Sequence, residues 1–252
     1  MDLGLAGRRA LVTGGSRGIG RAIVEALADE GATVAFCARS ADGVTGALDE
    51  LRAAGRTVHG EAVDVADGDA LRSWVTRTAE ELGGLDVVVA NVSALAIPGT
   101  EENWEASFRT DMLGTVRLVE AALPSLEASD AGAIVTVSSV SGREIDFAAG
   151  PYGTMKGAIV HYTQGLAHQL AGRVRANTVS PGNVYFPGGV WESIEQGDPD
   201  LYAHALSLNP TGRMARPDEV ARAVTFLASP AASFVSGTNL VVDGALTRGV
   251  QL

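Results

Sequence analysis

The stretch RALVTGGSRGIGRAIVEALADEGATVAF, residues 9–36, holds a short apolar run, a glycine turn, an amphipathic segment and a second apolar run. The amphipathic segment has apolar residues at helical spacing, which predicts a helix between two strands. Gly14, Gly18 and Gly20 let the backbone approach a phosphate at the start of this helix. Glycines also mark ordinary turns, but this position between a first strand and a long helix favours phosphate binding.

The end of the second strand indicates which dinucleotide this turn would bind. Sites for NAD usually place an acidic residue there to hold the ribose 2′-hydroxyl, whereas TVAFCARS contains Ala38 and Arg39 at that point. Arg17 lies within the glycine turn, and two guanidiniums suit a 2′-phosphate through charge and bidentate hydrogen bonds. The alternative is that both are solvated surface arginines. Because the absence of an acidic residue and the presence of two arginines both favour a 2′-phosphate, we expect NADP(H).

Short apolar runs alternate with amphipathic segments along the whole chain. The runs are nearly continuous, which is typical of parallel strands buried on both faces. They read RALVTG, TVAFCA, TVHGEAVDV, LDVVVAN, AIVTVSS, RVRANTVS and TNLVVDG. This repetition predicts a doubly wound α/β sheet in a single domain over residues 1–252. The long irregular segment 181–200 is typical of a lid or binding segment, and we place a substrate-side lid over residues 183–209.

Composition narrows the possible partners. The chain has 252 residues, 46% of them hydrophobic, and its net charge of −11 argues against nucleic acid or an anionic membrane as a partner. The single cysteine, Cys37, lies in an apolar run and can form no intrachain disulfide, and the four scattered histidines indicate no metal site. The first residues lack the basic start of a signal peptide, and no segment is apolar enough to span a membrane. We therefore expect a soluble cytoplasmic protein.

A single lysine stands among 19 basic residues, and it follows a tyrosine at helical spacing. The stretch PYGTMKGA places Lys156 four residues after Tyr152, on the same face of a helix that begins there. A free tyrosine ionises at about pH 10, and a nearby ammonium makes its proton easier to exchange. Tyr152 would then be the general acid for ketone reduction or the base for alcohol oxidation, while the Ser139 hydroxyl holds the substrate oxygen. The alternative, an unrelated pair on a helix surface, is disfavoured by the serine-ended strand and the nucleotide turn.

Together these motifs resemble the short-chain dehydrogenase/reductase family over nearly the whole chain. Its T-G-x-x-x-G-x-G turn matches residues 13–20, and its catalytic Ser, Tyr and Lys match Ser139, Tyr152 and Lys156. The resemblance implies a Rossmann domain with a seven-stranded parallel sheet, a homotetramer or homodimer, and a reductase most similar to those of 3-oxoacyl thioesters. It also implies an adenine contact at Asp64. The predicted cofactor-binding residues are Gly14, Ser16, Arg17, Gly18, Ile19, Gly20, Arg39, Ser40, Asp64, Val65, Asn91, Tyr152, Lys156, Pro181, Gly182 and Val184.

Three positions depart from the pattern of the family. The usual Asn-Asn-Ala-Gly after the fourth strand reads Ala-Asn-Val-Ser at 90–93, and a usual Thr falls at Phe186. Asp111 stands where the family usually has an Asn that helps to hold a water on the lysine, and it completes the predicted catalytic set.

The carboxylate of Asp111 changes the expected chemistry. It accepts hydrogen bonds but offers no N–H donor, and its charge favours an ammonium at Lys156 and disfavours a phenolate at Tyr152. We therefore expect alcohol oxidation to be more impaired than ketone reduction, with its pH optimum moved upward. The alternatives are that Asp111 is protonated, or that it turns away and is replaced by a water.

Apolar residues dominate the three segments expected on the substrate side, 92–99, 141–150 and 181–200. They suit a mainly hydrophobic ketone or secondary alcohol. Phe186 and Trp191, in the third segment, are equally consistent with simple packing of the lid. Because the net charge of −11 would repel an acidic carrier protein, we favour a free small-molecule ketone over a carrier-bound one.

Two other classes of protein use a similar turn. An NADP(H)-binding sensor or scaffold with weak catalysis is the main alternative, because Asp111 departs from the catalytic pattern. A methyltransferase is disfavoured, since it has no need of the Ser139, Tyr152 and Lys156 set.

Overall fold

A parallel sheet with helices on both faces is the framework of the protein, in a computed structural model that describes residues 2–249. Residues 1 and 250–252 of the predicted 1–252 domain lie outside the described residues. Within the described part, seven parallel strands have the spatial order β3-β2-β1-β4-β5-β6-β7, which confirms the predicted doubly wound sheet. They are β1 (Arg9–Thr13), β2 (Thr33–Ala38), β3 (Val58–Ala62), β4 (Val87–Ala90), β5 (Ala133–Val137), β6 (Arg175–Pro181) and β7 (Asn239–Val242).

Helices connect the strands, and side-chain caps begin several of them. Ser40, Asp67 and Thr100 each accept a hydrogen bond from a backbone N–H of the first turn that follows. No described helix combines the length and apolar character that a membrane span requires. The helices are α1 (Gly18–Asp29), α2 (Ala41–Ala53), α3 (Gly68–Leu82), α4 (Glu101–Ser107), α5 (Gly114–Ala128), α6 (Pro151–Gln169), α7 (Val190–Gly197), α8 (Pro199–Ser207) and α9 (Pro217–Ala228).

The core has two layers, one on each face of the sheet. Val12 and Val89 pack into the layer that contains residues of α1, α2 and α9, whereas Leu11 and Val88 pack into the layer of α3, α5 and α6. Successive side chains of a central strand therefore pack on opposite faces of the sheet. Both faces are covered by helices, which is why these strands appear in the sequence as continuous apolar runs.

Two expectations about local structure were wrong. The two edge strands are not buried on both faces: β3 leaves His59 and Glu61 exposed, and every residue of β7 is only half-buried. Segment 181–200 is not irregular throughout, since α7 occupies Val190–Gly197 and α8 starts at Pro199 with Asp198 as its cap. Proline at the first helical position and a preceding aspartate are helix-start signals that could have revealed α8.

The order of the strands reverses at β1, which lies between β2 and β4. Loops from neighbouring strands then diverge to opposite faces and leave a crevice at the carboxyl ends of the strands. Gly14 directly follows β1, Asn91 directly follows β4, and Ser139 comes just after β5, so all three lie at this crevice.

Candidate active site

The glycine turn after β1 is packed so closely that side chains are excluded. Gly14 and Gly18 have φ values of 74° and 56°, which residues with a Cβ rarely adopt. A Cβ on Gly20 would lie 2.1 Å from the Gly14 carbonyl oxygen and 2.5 Å from Nδ2 of Asn91. Arg17, at the N-cap of α1, makes no side-chain hydrogen bond to the helix. The first-turn N–H groups of α1 can therefore serve an anion, and the turn fits a dinucleotide phosphate.

A cleft of about 760 Å³ extends from this turn to the ends of β4 and β5. Most of the predicted site residues line it, namely Gly14, Ser16, Arg17, Ile19, Gly20, Arg39, Ser40, Val65, Asn91, Ser139, Tyr152, Lys156, Pro181, Gly182 and Val184. The cleft is also lined by residues of the predicted substrate-side segments, namely Val92, Ser93, Ala94, Leu95, Phe186, Val190 and Trp191. Sequence reasoning missed further wall residues, among them Val63, Ala106, Thr110 and Ser138, because nothing in their type or spacing marks them.

Three predicted site residues are not part of the cleft wall. Gly18 is covered by the ring of Phe186, whose Cζ lies 2.5 Å from the place a Cβ would take. Asp64 is exposed, and its carboxylate accepts a hydrogen bond of 2.9 Å from the N–H of Ala66. Asp111 is fully buried behind the wall. The adenine contact at Asp64 stays a prediction.

Helix α6 places the tyrosine and lysine one turn apart. It begins at Pro151, whose missing N–H and restricted φ suit a first helical position. Nζ of Lys156 lies 5.7 Å from the centre of the Tyr152 ring and donates a hydrogen bond of 3.1 Å to the carbonyl oxygen of Val137, at the end of β5. Because Lys156 is only 2% exposed, its charge acts on these few neighbours with little screening by solvent.

Two serines join the end of β5 to α6. Oγ of Ser138 donates a hydrogen bond of 2.8 Å to the carbonyl oxygen of Lys156. Oγ of Ser139 accepts one of 3.2 Å from the N–H of Ser141 and caps the short 3₁₀ turn Val140–Gly142. Ser139 lines the cleft together with Tyr152 and Lys156, so the three predicted catalytic side chains face the same cleft.

Asp111 lies in a π-helical turn, Phe108–Leu113, that joins α4 to α5. Such turns are rare and are frequent at functional sites. Its Oδ1 lies 3.3 Å from Nζ of Lys156 without a well-aligned hydrogen bond, and its Oδ2 accepts one of 2.9 Å from the N–H of Ala94. The alternative that Asp111 turns away from the lysine is therefore wrong.

The lid segment is held by polar contacts. The guanidinium of Arg17 donates a hydrogen bond of 3.0 Å to the carbonyl oxygen of Gly188, next to the glycine turn. The hydroxyl of Tyr185 donates one of 2.5 Å to Glu195 of α7, and this bond raises the pKa of Tyr185 to about 12. These contacts hold the start of segment 183–209, the predicted lid, beside the glycine turn.

Trp191 both packs the lid and lines the cleft. It is 5% exposed, belongs to a small cluster with Ala205 and Met214, and lies edge-on to Phe147 at 6.1 Å between ring centres. From the predicted segment 141–150, by contrast, no residue lines the cleft.

Cys37 follows the expectation for a small hydrophobic residue. It is fully buried in β2, and burial raises the pKa of its thiol to about 12. The thiol therefore stays protonated and unreactive at neutral pH.

Known proteins are similar to this chain in sequence and in fold. A family profile described as enoyl-(acyl carrier protein) reductase matches residues 14–247. The chain belongs to the short-chain dehydrogenase/reductase family. This confirms the predicted family and makes the protein an oxidoreductase.

Similar members of the family include dehydrogenases of a fungus and a bacterium. The chain is 43% identical to the isoepoxydon dehydrogenase of Penicillium expansum, over 100% of this chain and 99% of that protein. It is 37% identical to the cis-4-hydroxycyclohexanecarboxylate dehydrogenase of Sinomonas cyclohexanicum, over 98% of this chain and 99% of that one. Among solved structures, the L-sorbose reductase of Gluconobacter frateurii, complexed with NADPH and L-sorbose, is 28% identical and has a TM-score of 0.91. That match covers 99% of this chain and 100% of the reductase.

Proposed function

We propose that this short-chain dehydrogenase/reductase uses NADPH to reduce a ketone to a secondary alcohol, reversibly, with Tyr152 as the general acid and base. One observation carries the proposal: Ser139, Tyr152 and Lys156 line the same cleft as the glycine turn. A dinucleotide held at the turn would therefore supply its hydride in the same cleft that holds the proton donor.

The turn at the start of α1 supplies the cofactor end of the site. Its glycines would admit the pyrophosphate, and Arg17 and Arg39, both exposed at the cleft, would hold the 2′-phosphate. The NADPH complex of the related L-sorbose reductase supports this assignment. When bound, the cofactor supplies the hydride for reduction or accepts it in oxidation.

The remaining side chains handle the proton. Oγ of Ser139 holds the carbonyl oxygen, and Oη of Tyr152 gives its proton to that oxygen as the alcohol forms. The buried ammonium of Lys156, 5.7 Å from the tyrosine ring, stabilises the phenolate that is left. In alcohol oxidation, Tyr152 takes the proton back.

The substrate end favours an apolar ketone. Leu95, Val190 and Trp191 line it, and no formally charged side chain of segment 141–150 reaches the cleft. The related dehydrogenase of Sinomonas cyclohexanicum is named for cis-4-hydroxycyclohexanecarboxylate, a ring alcohol that also carries a carboxylate. Its name supports a ring ketone or ring alcohol as substrate but not an uncharged one. We further propose a homodimer or homotetramer in the cytoplasm.

The first test measures NADPH oxidation against a panel of cyclic, aryl and steroid-like ketones and 3-oxoacyl thioesters, with Tyr152→Phe as the matched variant. We expect turnover of at least one ring ketone and a loss of roughly 100-fold or more in Tyr152→Phe, with unchanged NADPH binding. Tight NADPH binding without turnover of any panel member would instead favour a sensor or scaffold. Equal rates in the two proteins would exclude Tyr152 as the acid.

A second test concerns the charge of Asp111, which faces Lys156 at 3.3 Å. Because a buried negative charge opposes formation of a phenolate, Asp111→Asn is expected to speed alcohol oxidation at neutral pH by roughly tenfold and to move its pH optimum downward. Ketone reduction, which starts from a neutral tyrosine, is expected to change less. Identical pH–rate profiles of the two proteins in both directions would show that the carboxylate has no such role.

A further inference from the structure

The side chain of Arg17 joins the glycine turn to the lid segment. Arg17 directly precedes α1 and lines the cleft, and its Nη1 donates a hydrogen bond of 3.0 Å to the carbonyl oxygen of Gly188. A guanidinium has five N–H donors, so this bond leaves others for a second acceptor. The exposed side chain can therefore bind the lid and an anion at the same time.

The surroundings of Arg17 suit the 2′-phosphate of an adenosine. Oγ of Ser40 and Oγ of Ser16 lie 3.4 and 3.8 Å from the place that a Cβ on Gly43 would take, in the first turn of α2. Ser16 precedes Arg17 and Ser40 follows Arg39, so the backbones of both arginines pass the start of this helix. A helix start beside two guanidiniums favours a phosphate.

Gly188 is held on both sides of its backbone. Its N–H donates a hydrogen bond of 2.7 Å to Oε2 of Glu192 in the first turn of α7, while its carbonyl oxygen accepts the bond from Arg17. Trp191, the neighbour of Glu192 in that turn, is 5% exposed and lines the cleft. Because the two hydrogen bonds meet at one residue, a change at Arg17 reaches the helix that carries Trp191.

Arg39 provides the comparison within the same site. It also lines the cleft and is exposed, and the proposed function assigns it to the same phosphate. Within residues 2–249, the hydrogen bond to Gly188 comes from Arg17, and none joins Arg39 to segment 183–209. One arginine therefore connects the phosphate site to the lid, and the other does not.

We propose that Arg17 is a positioning residue that bridges the 2′-phosphate of the cofactor and the carbonyl oxygen of Gly188, so that this phosphate steadies the lid over the substrate. The inference rests on the proposed function and adds a coupling between the two ends of that site. A bound phosphate fixes the guanidinium, which then holds Gly188 without a further loss of side-chain entropy. By linkage, the ketone binds more tightly beside NADPH than beside NADH.

The first experiment measures the lid without any need for catalysis. Amide hydrogen exchange of residues 186–197 is compared in the protein saturated with adenosine 2′,5′-bisphosphate and with adenosine 5′-monophosphate, which differ in the 2′-phosphate alone. In the wild type we expect exchange to be about fivefold slower with the bisphosphate. In Arg17→Ala, saturated with each nucleotide in turn, we expect equal exchange.

Two further variants separate the bridge from the charge. Arg39→Ala is expected to bind the bisphosphate more weakly but to keep the fivefold difference in exchange once it is saturated. Glu192→Ala removes the link between Gly188 and α7 without touching the phosphate site. It is expected to bind both nucleotides like the wild type and to lose the difference over residues 190–197.

Equal exchange with the two nucleotides in the wild type, or a difference that survives in Arg17→Ala, would overturn the bridge. If the bisphosphate binds no more tightly than the monophosphate, the proposed 2′-phosphate site itself is wrong, and the bridge is wrong with it.

The second experiment measures the KM for a ketone that the wild type reduces, at saturating NADPH and at saturating NADH. We expect the KM to be about fivefold lower with NADPH in the wild type and in Arg39→Ala, and to be equal with the two cofactors in Arg17→Ala. A ratio that Arg39→Ala abolishes as fully as Arg17→Ala would show that the phosphate does not act through the lid. Absence of turnover in the wild type would count against the proposed function, while hydrogen exchange would still decide the bridge.

Discussion

A buried carboxylate has many hydrogen bonds at the amino end of the sheet, whereas one at the carboxyl end has few. At the amino end, Asp86 comes just before β4 and is 1% exposed. Its oxygens accept hydrogen bonds from the backbone N–H and both sides of the guanidinium of Arg9, at 2.8 to 3.0 Å, and from Ser129 at 2.6 Å. At the carboxyl end, Asp111 is equally buried but receives one hydrogen bond, and Lys156 at 3.3 Å is poorly aligned with its second oxygen.

This difference separates a carboxylate that stabilises the fold, Asp86, from one that contacts the proposed catalytic residues, Asp111. Asp86 joins residues before or within β1, β4 and β5, and every donor around it is part of the framework. Burial alone would raise its pKa, but the hydrogen bonds from Arg9 and Ser129 outweigh burial and hold the pKa at about 2. Asp111 instead accepts a hydrogen bond from the N–H of Ala94 and lies 3.3 Å from Lys156, a member of the proposed catalytic set.

The largest expected effect comes from breaking the amino-end cluster. Asp86→Asn removes the charge and turns an NH₂ group toward the donors of Arg9, so we expect a loss of about 3 kcal/mol in the free energy of unfolding. Urea unfolding at pH 7 measures this loss. Asp130→Asn is the matched control, because Asp130 also pairs with an arginine, Arg8, but its side chain is 80% exposed, and we expect a far smaller loss.

The pH dependence gives a second check of Asp86. Its pKa is lower in the folded protein, about 2, than its ordinary 3.8, so its contribution is fully present above pH 3.8 and is lost as the pH falls through about 2. The stability gap between wild type and Asp86→Asn is therefore expected to shrink over that interval. A stability difference that stays constant down to pH 2 would contradict the ionised role of Asp86. A specific activity of folded Asp86→Asn well below that of the wild type at pH 7 would contradict a purely stabilising role.

A smaller effect is expected from the exposed cations at the carboxyl end. Arg39 lines the cleft. In the proposed binding mode its removal would take charge-assisted hydrogen bonds from the 2′-phosphate and from no other part of the cofactor. We expect Arg39→Ala to weaken NADPH binding by roughly tenfold and to leave NADH binding unchanged. Fluorescence titration with the two cofactors measures both, with Arg222→Ala, an exposed arginine of α9, as the control. Equal weakening toward NADPH and NADH would contradict a 2′-phosphate site at Arg39.

The smallest expected effect concerns Phe186, whose ring lies on Gly18 at the start of α1. A pyrophosphate at that helix end has to share the space or move the ring, so we expect Phe186→Ala to bind NADPH roughly threefold more tightly. Phe234→Ala, which truncates a fully exposed phenylalanine outside the cleft lining, is expected to change nothing. Weaker binding in Phe186→Ala would mean that the ring packs on the bound cofactor instead.

Features that depend on residues close together in the sequence were predicted, whereas features that depend on distant residues were not. The glycine turn, the helix with Tyr152 and Lys156, and the order of strands and helices were predictable, because each depends on neighbours within one or two turns. The exposure of β3 was not, since an edge strand is defined by which strands lie beside it. The lid helices were missed because their start signals lay in a segment rich in glycine and proline.

The sequence by itself determined the fold class, the glycine turn and the cofactor chemistry that the turn and the two arginines favour. These follow from backbone sterics, helical spacing and charge, which act locally. Only the tertiary structure decided that Phe186 covers Gly18, that Asp111 faces Lys156, and that the other oxygen of Asp111 accepts a hydrogen bond from Ala94. Those contacts join residues between 17 and 168 positions apart in the numbering of the chain. Their geometry depends on how the helices pack across the sheet, which no local pattern of residues records.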